Sequence, residues 1–161
     1  MAGVSVSTVS RAINNTGPVD EGTRQRILDL SKRLDYRPSA MARNLVMQRT
    51  MTLMLLVPDV ANNFFAEIVQ DFSIACREKG YKVFLGDTIN QSSVEEDYLN
   101  MLKEGVVDGA VVVPMMDGQN DELYFELARK RFPLVMIDRI VDRIKSSYVI
   151  VDNFEGGRLV A

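Results

Sequence analysis

Apolar residues follow two rhythms along this chain. Up to residue 47 they recur at helical spacing on short segments, and from Thr52 onward they gather into continuous runs separated by amphipathic stretches. Near the start, Val6, Val9 and Ile13 fall at i, i+3 and i+7, which predicts one face of a helix. Gly3 suits the positive φ of a tight turn before it, and Ser5 suits its N-cap. Thr16-Gly17-Pro18 breaks that helix. Asp20 then caps a second, with Ile27, Leu30 and Leu34 as its apolar positions. Tyr36-Arg37-Pro38-Ser39 ends it, because the residue before a proline is pushed out of the α region. Ser39 caps a short segment from Ala40 to Met47.

The later runs are Leu53 to Val57, Val83 to Leu85, Ala110 to Val113, Leu134 to Ile137 and Val149 to Val151. Helical patterns begin near Asn63, Val94 and Asn120, and another opens after Asn153. Runs of Val, Ile and Leu alternating with helices predict an α/β body, a parallel sheet covered on both faces. The expected fold is therefore a small all-α head and a short helical segment, followed by a parallel-sheet lobe. The boundaries read as 1–38 for the head, 39–49 for the connecting segment, and 50–161 for the lobe.

Charge separates the same two parts. Residues 1–49 hold Arg11, Arg24, Arg26, Lys32, Arg33, Arg37, Arg43 and Arg49 against Asp20, Glu21, Asp29 and Asp35, a formal +4; with −3 on the whole chain, −7 falls on the rest. A basic head on an acidic body points to a polyanion partner for the head alone. With no histidine and one cysteine, Cys76, there is no zinc-finger or His-based catalytic constellation and no disulfide framework. Cys76 reads as a buried free thiol. The body has no dinucleotide-type Gly-rich turn and no phosphate loop, so no cofactor is expected. No apolar run reaches membrane-spanning length and the N-terminus lacks a signal pattern, which together read as a cytoplasmic chain with no membrane partner.

The polar face of the first helix is Ser7, Thr8, Ser10, Arg11 and Asn14: short donors and acceptors with one guanidinium able to reach guanine edges or phosphates in a major groove. A plain Ser/Thr-rich surface helix has the same composition. The residue order Ala2-Gly3-Val4-Ser5, two spacers, Thr8-Val9-Ser10-Arg11, one spacer, Ile13-Asn14 resembles the signature of the lactose-repressor (LacI/GalR) family of bacterial transcription regulators. The likeness continues through almost all of the chain.

That resemblance implies a helix-turn-helix in which Val6, Ser7 and Arg11 read bases while Ser5, Thr8, Ser10 and Asn14 mostly hold phosphates and register. It places Thr23 and Arg24 at a helix start facing phosphate, the alternative being an arginine paired with Glu21. It makes residues 39–49 a hinge whose Leu45 wedges into the minor groove of a pseudo-palindromic double-stranded DNA operator, with Ala42 allowing close approach between two subunits of a homodimer. Packing of Leu45 against the following domain is the plainer alternative. It also implies a first helix before Gly3, of which only the last residues are present, and a second lobe after Ala161. On that reading the chain is a regulator truncated at both ends, with half an effector site.

Four of the five strand-like runs end in residues fit for a ligand: Asp59 after the first, Asp87 after the second, Asp138-Arg139 after the fourth and Asp152-Asn153 after the fifth. In a parallel sheet these ends open on one crevice, where ligands usually bind. Asp59 to Phe65 resembles the family's first strand-to-helix loop, whose aromatics stack on a sugar or base, so Phe64 and Phe65 join the expected effector site. Carboxylates accepting from hydroxyls beside an aromatic ring suit a carbohydrate or related metabolite. Core packing for the two phenylalanines, an ion pair for Asp138 and Arg139, and helix capping for Asp152 and Asn153 are the structural alternatives. A transport-type sugar-binding protein would share the body but has no use for residues 3–47. An α/β enzyme would need a nucleophile and base, and no such pair is identifiable, so no catalytic residues are assigned. An inactive regulator fragment is the third alternative.

Overall fold

The computed structural model describes residues 3–36, 44 and 49–160, and the chain divides into two compact units, Met1–Gln48 and Arg49–Ala161. In the first unit, α1 (Val6–Asn14) is capped by Ser5, whose side chain accepts from the Thr8 N–H, and ends at Asn15 in the left-handed conformation. Helix α2 (Glu21–Arg33) is capped by Asp20, which accepts from the Thr23 N–H. The two helices pack against each other, and Ala12 and Ile27 are each 3% exposed. Val6, placed both on the apolar face and among the base readers, is 87% exposed. One expectation about the apolar positions needs correction. Leu34 is exposed because α2 stops at Arg33, after which Asp35 takes a positive φ and turns the chain away.

The second unit is built on a five-stranded parallel sheet of β1 (Thr52–Val57), β2 (Lys82–Asp87), β3 (Gly109–Val112), β4 (Leu134–Ile137) and β5 (Ser147–Val149), in the order β2-β1-β3-β4-β5. The helices are α3 (Asn63–Glu78), α4 (Ser92–Lys103), α5 (Asp121–Arg129) and α6 (Asn153–Val160). Strand β5 lies two residues earlier than the Val149–Val151 run predicts. Val149, Ile150 and Val151 are all exposed, so apolar content alone misplaced the pairing.

Side-chain alternation along β1 organises the core. Leu55 and Val57 point to one face, where they meet Phe65 and Val113 with Ile68, Val69 and Phe72 of α3 against them. Met54 and Leu56 point to the other, among Leu99 and Leu102 of α4, Tyr124 and Leu127 of α5, and Val112 and Met136. A strand covered on both faces reads as a continuous apolar run, which is why β1 was visible. Strand order reverses at β1, so the chain leaves β1 to one side and β3 to the other; the crevice outside the carboxyl ends of these two strands is where sheets of this kind take ligands.

At the opposite, amino end the carboxyl of Asp108 holds the start of the unit. It accepts from the Thr50 N–H at 2.6 Å, the Thr50 hydroxyl at 2.8 Å and the Met51 N–H at 3.0 Å. Cys76 is a buried free thiol, and burial raises its pKa. Among the described residues no helix is long and apolar enough to cross a membrane.

Candidate nucleic-acid interface and effector crevice

Helix α1 presents Val6, Ser7, Ser10 and Arg11 to solvent, with Ser5 exposed at its cap and Thr8 and Asn14 half-buried. The hydroxyls are locally ordered: Ser5 Oγ lies 2.8 Å from Ser7 Oγ and 2.9 Å from Thr8 Oγ1, and Asn14 Nδ2 donates to Ser10 Oγ at 3.3 Å. Arg11 runs its stem over Gly17, where an added Cβ would meet the Arg11 Cδ at 3.4 Å. The missing side chain at residue 17 gives that stem a flat surface to lie on, and the charged head stays outside.

Arg24 has the pairing with Glu21 that the plainer reading expected, and adds bonds that neither reading expected. Its guanidinium turns inward to the end of α1, donating to Asn15 Oδ1 at 2.6 Å, to the Ala12 carbonyl at 3.3 Å and to the Gly17 carbonyl at 3.5 Å. The contact with Glu21 is a looser 3.8 Å, and the Arg24 side chain is only 17% exposed. A helix end leaves carbonyls without partners, and a cation there satisfies them and complements the dipole. Nothing in sequence spacing marks this bond across twelve residues. Thr23 sits in the first turn of α2 with its N–H committed to Asp20, whose pKa that N–H lowers. Ala42 and Leu45 lie outside the described residues.

At the carboxyl end of the sheet, Asp59 Oδ1 accepts from the Ala61 N–H at 2.8 Å. Asp87 accepts from Ile89 N–H at 2.9 Å and from Val60 N–H at 3.4 Å, joining the loops after β1 and β2. Asn62 caps α3 through the Phe64 N–H at 3.0 Å. Phe64 is half exposed over this end, whereas Phe65, one residue on, turns toward the sheet and is 5% exposed. The two rings meet edge to face with centroids 5.1 Å apart. The expectation that both phenylalanines face a ligand is corrected here: successive helical residues point about 100° apart, so one ring stays outside while the other fills the core.

Asp138 has a positive φ of 65° and lies 3.5 Å from Arg139 Nε, the local ion pair foreseen as the alternative. Its N–H donates to the Val149 carbonyl at 3.0 Å, which ties the ends of β4 and β5 together. Asp152 Oδ1 accepts from the Glu155 N–H at 2.9 Å and so caps α6.

One polar cluster beneath the crevice was missed. Glu95 on α4 is fully buried, and its Oε1 accepts from the Met115 N–H at 2.9 Å and the Tyr124 hydroxyl at 2.7 Å. Its Oε2 accepts from Asn120 Nδ2 at 2.6 Å, and the same amide donates to the Ser92 carbonyl at 2.8 Å. Burial, and then the charge of Glu95, push the Tyr124 hydroxyl far above its ordinary pKa. This cluster fixes the loop after β3, where Ser92 and Asp117 also bond. The available signal was an acidic residue on the apolar stripe of Leu99 and Leu102.

These features define a class: a two-helix unit followed in sequence by a parallel α/β lobe with strand order reversing beside a ligand crevice. Residues 1–39 match the family described as bacterial regulatory proteins, lacI family. The chain is 35% identical over 154 residues to the HTH-type transcriptional regulator RegA of Clostridium acetobutylicum, covering 94% of this chain and 46% of that one. It is 36% identical over 160 residues to the HTH-type transcriptional repressor PurR of Vibrio cholerae, covering 99% and 47%. The chain thus spans about half the length of the curated relatives it matches.

Among solved structures, the lac repressor dimer bound to operator and the anti-inducer ONPF superposes with a TM-score of 0.79 at 20% identity, covering 99% of this chain and 48% of that one. Cra of Pseudomonas putida in complex with fructose 1-phosphate gives 0.63 at 26% identity, covering 69% and 41%. The chain belongs to the LacI family of bacterial regulatory proteins.

Proposed function

We propose that this chain supplies the DNA-reading head and first ligand-binding lobe of a transcriptional repressor whose operator affinity is set by a small carbohydrate-like effector. The observation that carries the reading is the exposed face of α1, which offers Val6, Ser7 and Arg11 on a helix fixed at one end by Ser5 and at the other by Arg24. On this reading α1 and α2 form the helix-turn-helix, and α1 lies in the major groove. Ser5, Thr8, Ser10 and Asn14 set its register against phosphates, and the start of α2, with Thr23 half-buried in its first turn, faces a further phosphate. Arg24 acts from behind, as a positioning residue. Leu45 serves as the minor-groove wedge of a homodimer on a pseudo-palindromic operator, and Ala42 allows the close approach this needs.

The effector site consists of Asp59, Phe64, Asp138, Arg139 and Asp152 at the carboxyl ends of the strands, with Phe65 supporting Phe64 from the core. Relatives named as transcriptional regulators, and a neighbour solved with fructose 1-phosphate, support the class and the ligand chemistry. A regulator of this kind works in the cytoplasm, where the DNA is, and catalyses no reaction. Effector and operator are linked because each favours a different arrangement of the protein, so each alters affinity for the other.

The test is a binding selection from a random duplex library with this chain near physiological salt, where nonspecific contacts are screened. A palindrome is expected to be enriched. Arg11→Ala should cost about 1–3 kcal/mol and relax one position in each half-site. No enrichment from a folded chain, or an equal loss on every sequence, refutes the reading.

A further inference from the structure

We propose a second small-molecule site at the opposite end of the sheet from the crevice, shaped for the phosphate monoester of a small metabolite. A cavity of about 280 Å³ opens there, at the amino ends of β4 and β5 and beside the last turn of α5. Arg131, Lys145, Ser146 and Ser147 line its polar side, and Phe132 and Leu134 line its apolar side. That size is just under the roughly 300–1,000 Å³ of ordinary ligand pockets, which restricts the occupant to a small molecule.

The electrostatics select an anion. No carboxylate lines the cavity. Among the described residues Lys103, Arg139 and Arg158 of the lobe pair with carboxylates, whereas Arg131 and Lys145 have no such partner. The setting is also unlike the rest of the lobe. In an otherwise acidic body, Arg129, Lys130 and Arg131 close α5 and Arg143 and Lys145 precede β5 with Asp142 beside them in sequence, whereas the Asp138–Arg139 pair lies past the other end of β4. Arg131 holds a φ of 55°, a conformation that favours glycine, so a bulky cation stands where the backbone does not favour one.

The C-terminus of α5 would repel an anion if its carbonyls were bare. They are not: the N–H groups of Lys130, Arg131 and Phe132 donate to the carbonyls of Glu126, Ala128 and Leu127, each at 3.0 Å. Two cations and two hydroxyls suit a dianionic phosphoryl group, and the Phe132–Leu134 wall covers the carbon skeleton attached to it. The site rests on the lobe alone and stands apart from the DNA-binding reading.

The experiment is a residue-resolved NMR titration of the whole chain with glycerol 3-phosphate, with glycerol and inorganic phosphate as separate arms. The ester is expected to give saturable shifts at Arg131, Phe132 and Lys145 to Ser147, to bind more tightly than inorganic phosphate, and to lose about tenfold in affinity on Lys145→Gln. Arg131→Gly should weaken binding similarly while relieving the backbone, so loss of fold cannot account for it. Shifts centred on Asp59 and Phe64, no saturation, unchanged affinity in both variants, or inorganic phosphate binding as tightly as the ester would each overturn the proposal.

Discussion

Arg24→Met separates two roles that the sequence could not tell apart. The substitution keeps an apolar stem of similar length and removes every donor that reaches the end of α1. The bond to Asn15 at 2.6 Å is strong, the one to Ala12 at 3.3 Å is ordinary, and the one to Gly17 at 3.5 Å is at the limit of range. Two effective bonds from a charged donor are worth about 1.5–3 kcal/mol each, and water recovers part of that at the exposed Asn15. The net loss is then about 2–3 kcal/mol. An isolated helix shorter than ~12–15 residues is marginal in water, and α1 has nine, so its order depends on such tertiary contacts. Amide exchange across α1 should therefore speed up about 30- to 150-fold relative to α2, and operator affinity should fall with it. If protection of α1 is unchanged while the salt dependence of DNA binding drops by about one phosphate contact, Arg24 holds phosphate and the structural role is refuted.

Glu95→Gln places an amide among three donors: retaining Oε1 for Met115 and Tyr124 turns Nε2 toward Asn120, which can accept only by giving up Ser92. A loss of about 1–3 kcal/mol in chemical denaturation is expected, and an unchanged midpoint would contradict the network. Gly86→Ala puts a Cβ 2.6 Å from Leu56 Cδ1 and 3.1 Å from the Tyr98 ring, an overpacking cost of about 1–3 kcal/mol that lowers the melting temperature of the lobe. A melt like the parent's would show that β2 can shift. Asp20 has a lowered pKa because the Thr23 N–H donates to it, so its contribution is complete above the ordinary value of 3.8 and fades as the pH falls through the folded value. Protection at Thr23, taken relative to the intrinsic exchange rate at each pH, should fall on acidification in the parent and lose that pH dependence in Asp20→Asn; identical protection profiles would show that the cap is energetically silent.

Central strands were legible and edges were not. In β1, Met54 to Val57 are buried on both faces, and the sequence shows this as an unbroken apolar run. β5 pairs through Ser147, Tyr148 and Val149, and Val149 and the two apolar residues after it are exposed, so hydrophobicity carried no information on where pairing begins. The caps Ser5 and Asp20 were legible for a local reason: each bonds an N–H three residues on, as the unforeseen cap Asn62 bonds one two residues on. Arg24 and Asp108 act over as many as twelve and fifty-eight residues, and their partners include backbone atoms, which carry no sequence identity. Glu95 is the intermediate case, since its place on a buried stripe signals that a partner is needed without saying which.

The strand-end aspartates show why a ligand site and a turn look alike in sequence. A short carboxylate beside free backbone N–H groups is what a helix start requires, and a hydroxyl-bearing ligand requires the same carboxylate in the same place. Asp59 and Asp152 meet both demands through geometry: each commits Oδ1 to an N–H, which orients the second oxygen without consuming it. Capping therefore supports the proposed effector role of these residues, because a carboxylate already fixed by its own loop loses less freedom when a ligand arrives. The same logic separates Phe64 from Phe65. The buried ring holds the exposed one edge-on at 5.1 Å, so the core residue that drops out of the contact set still determines where the contacting ring stands.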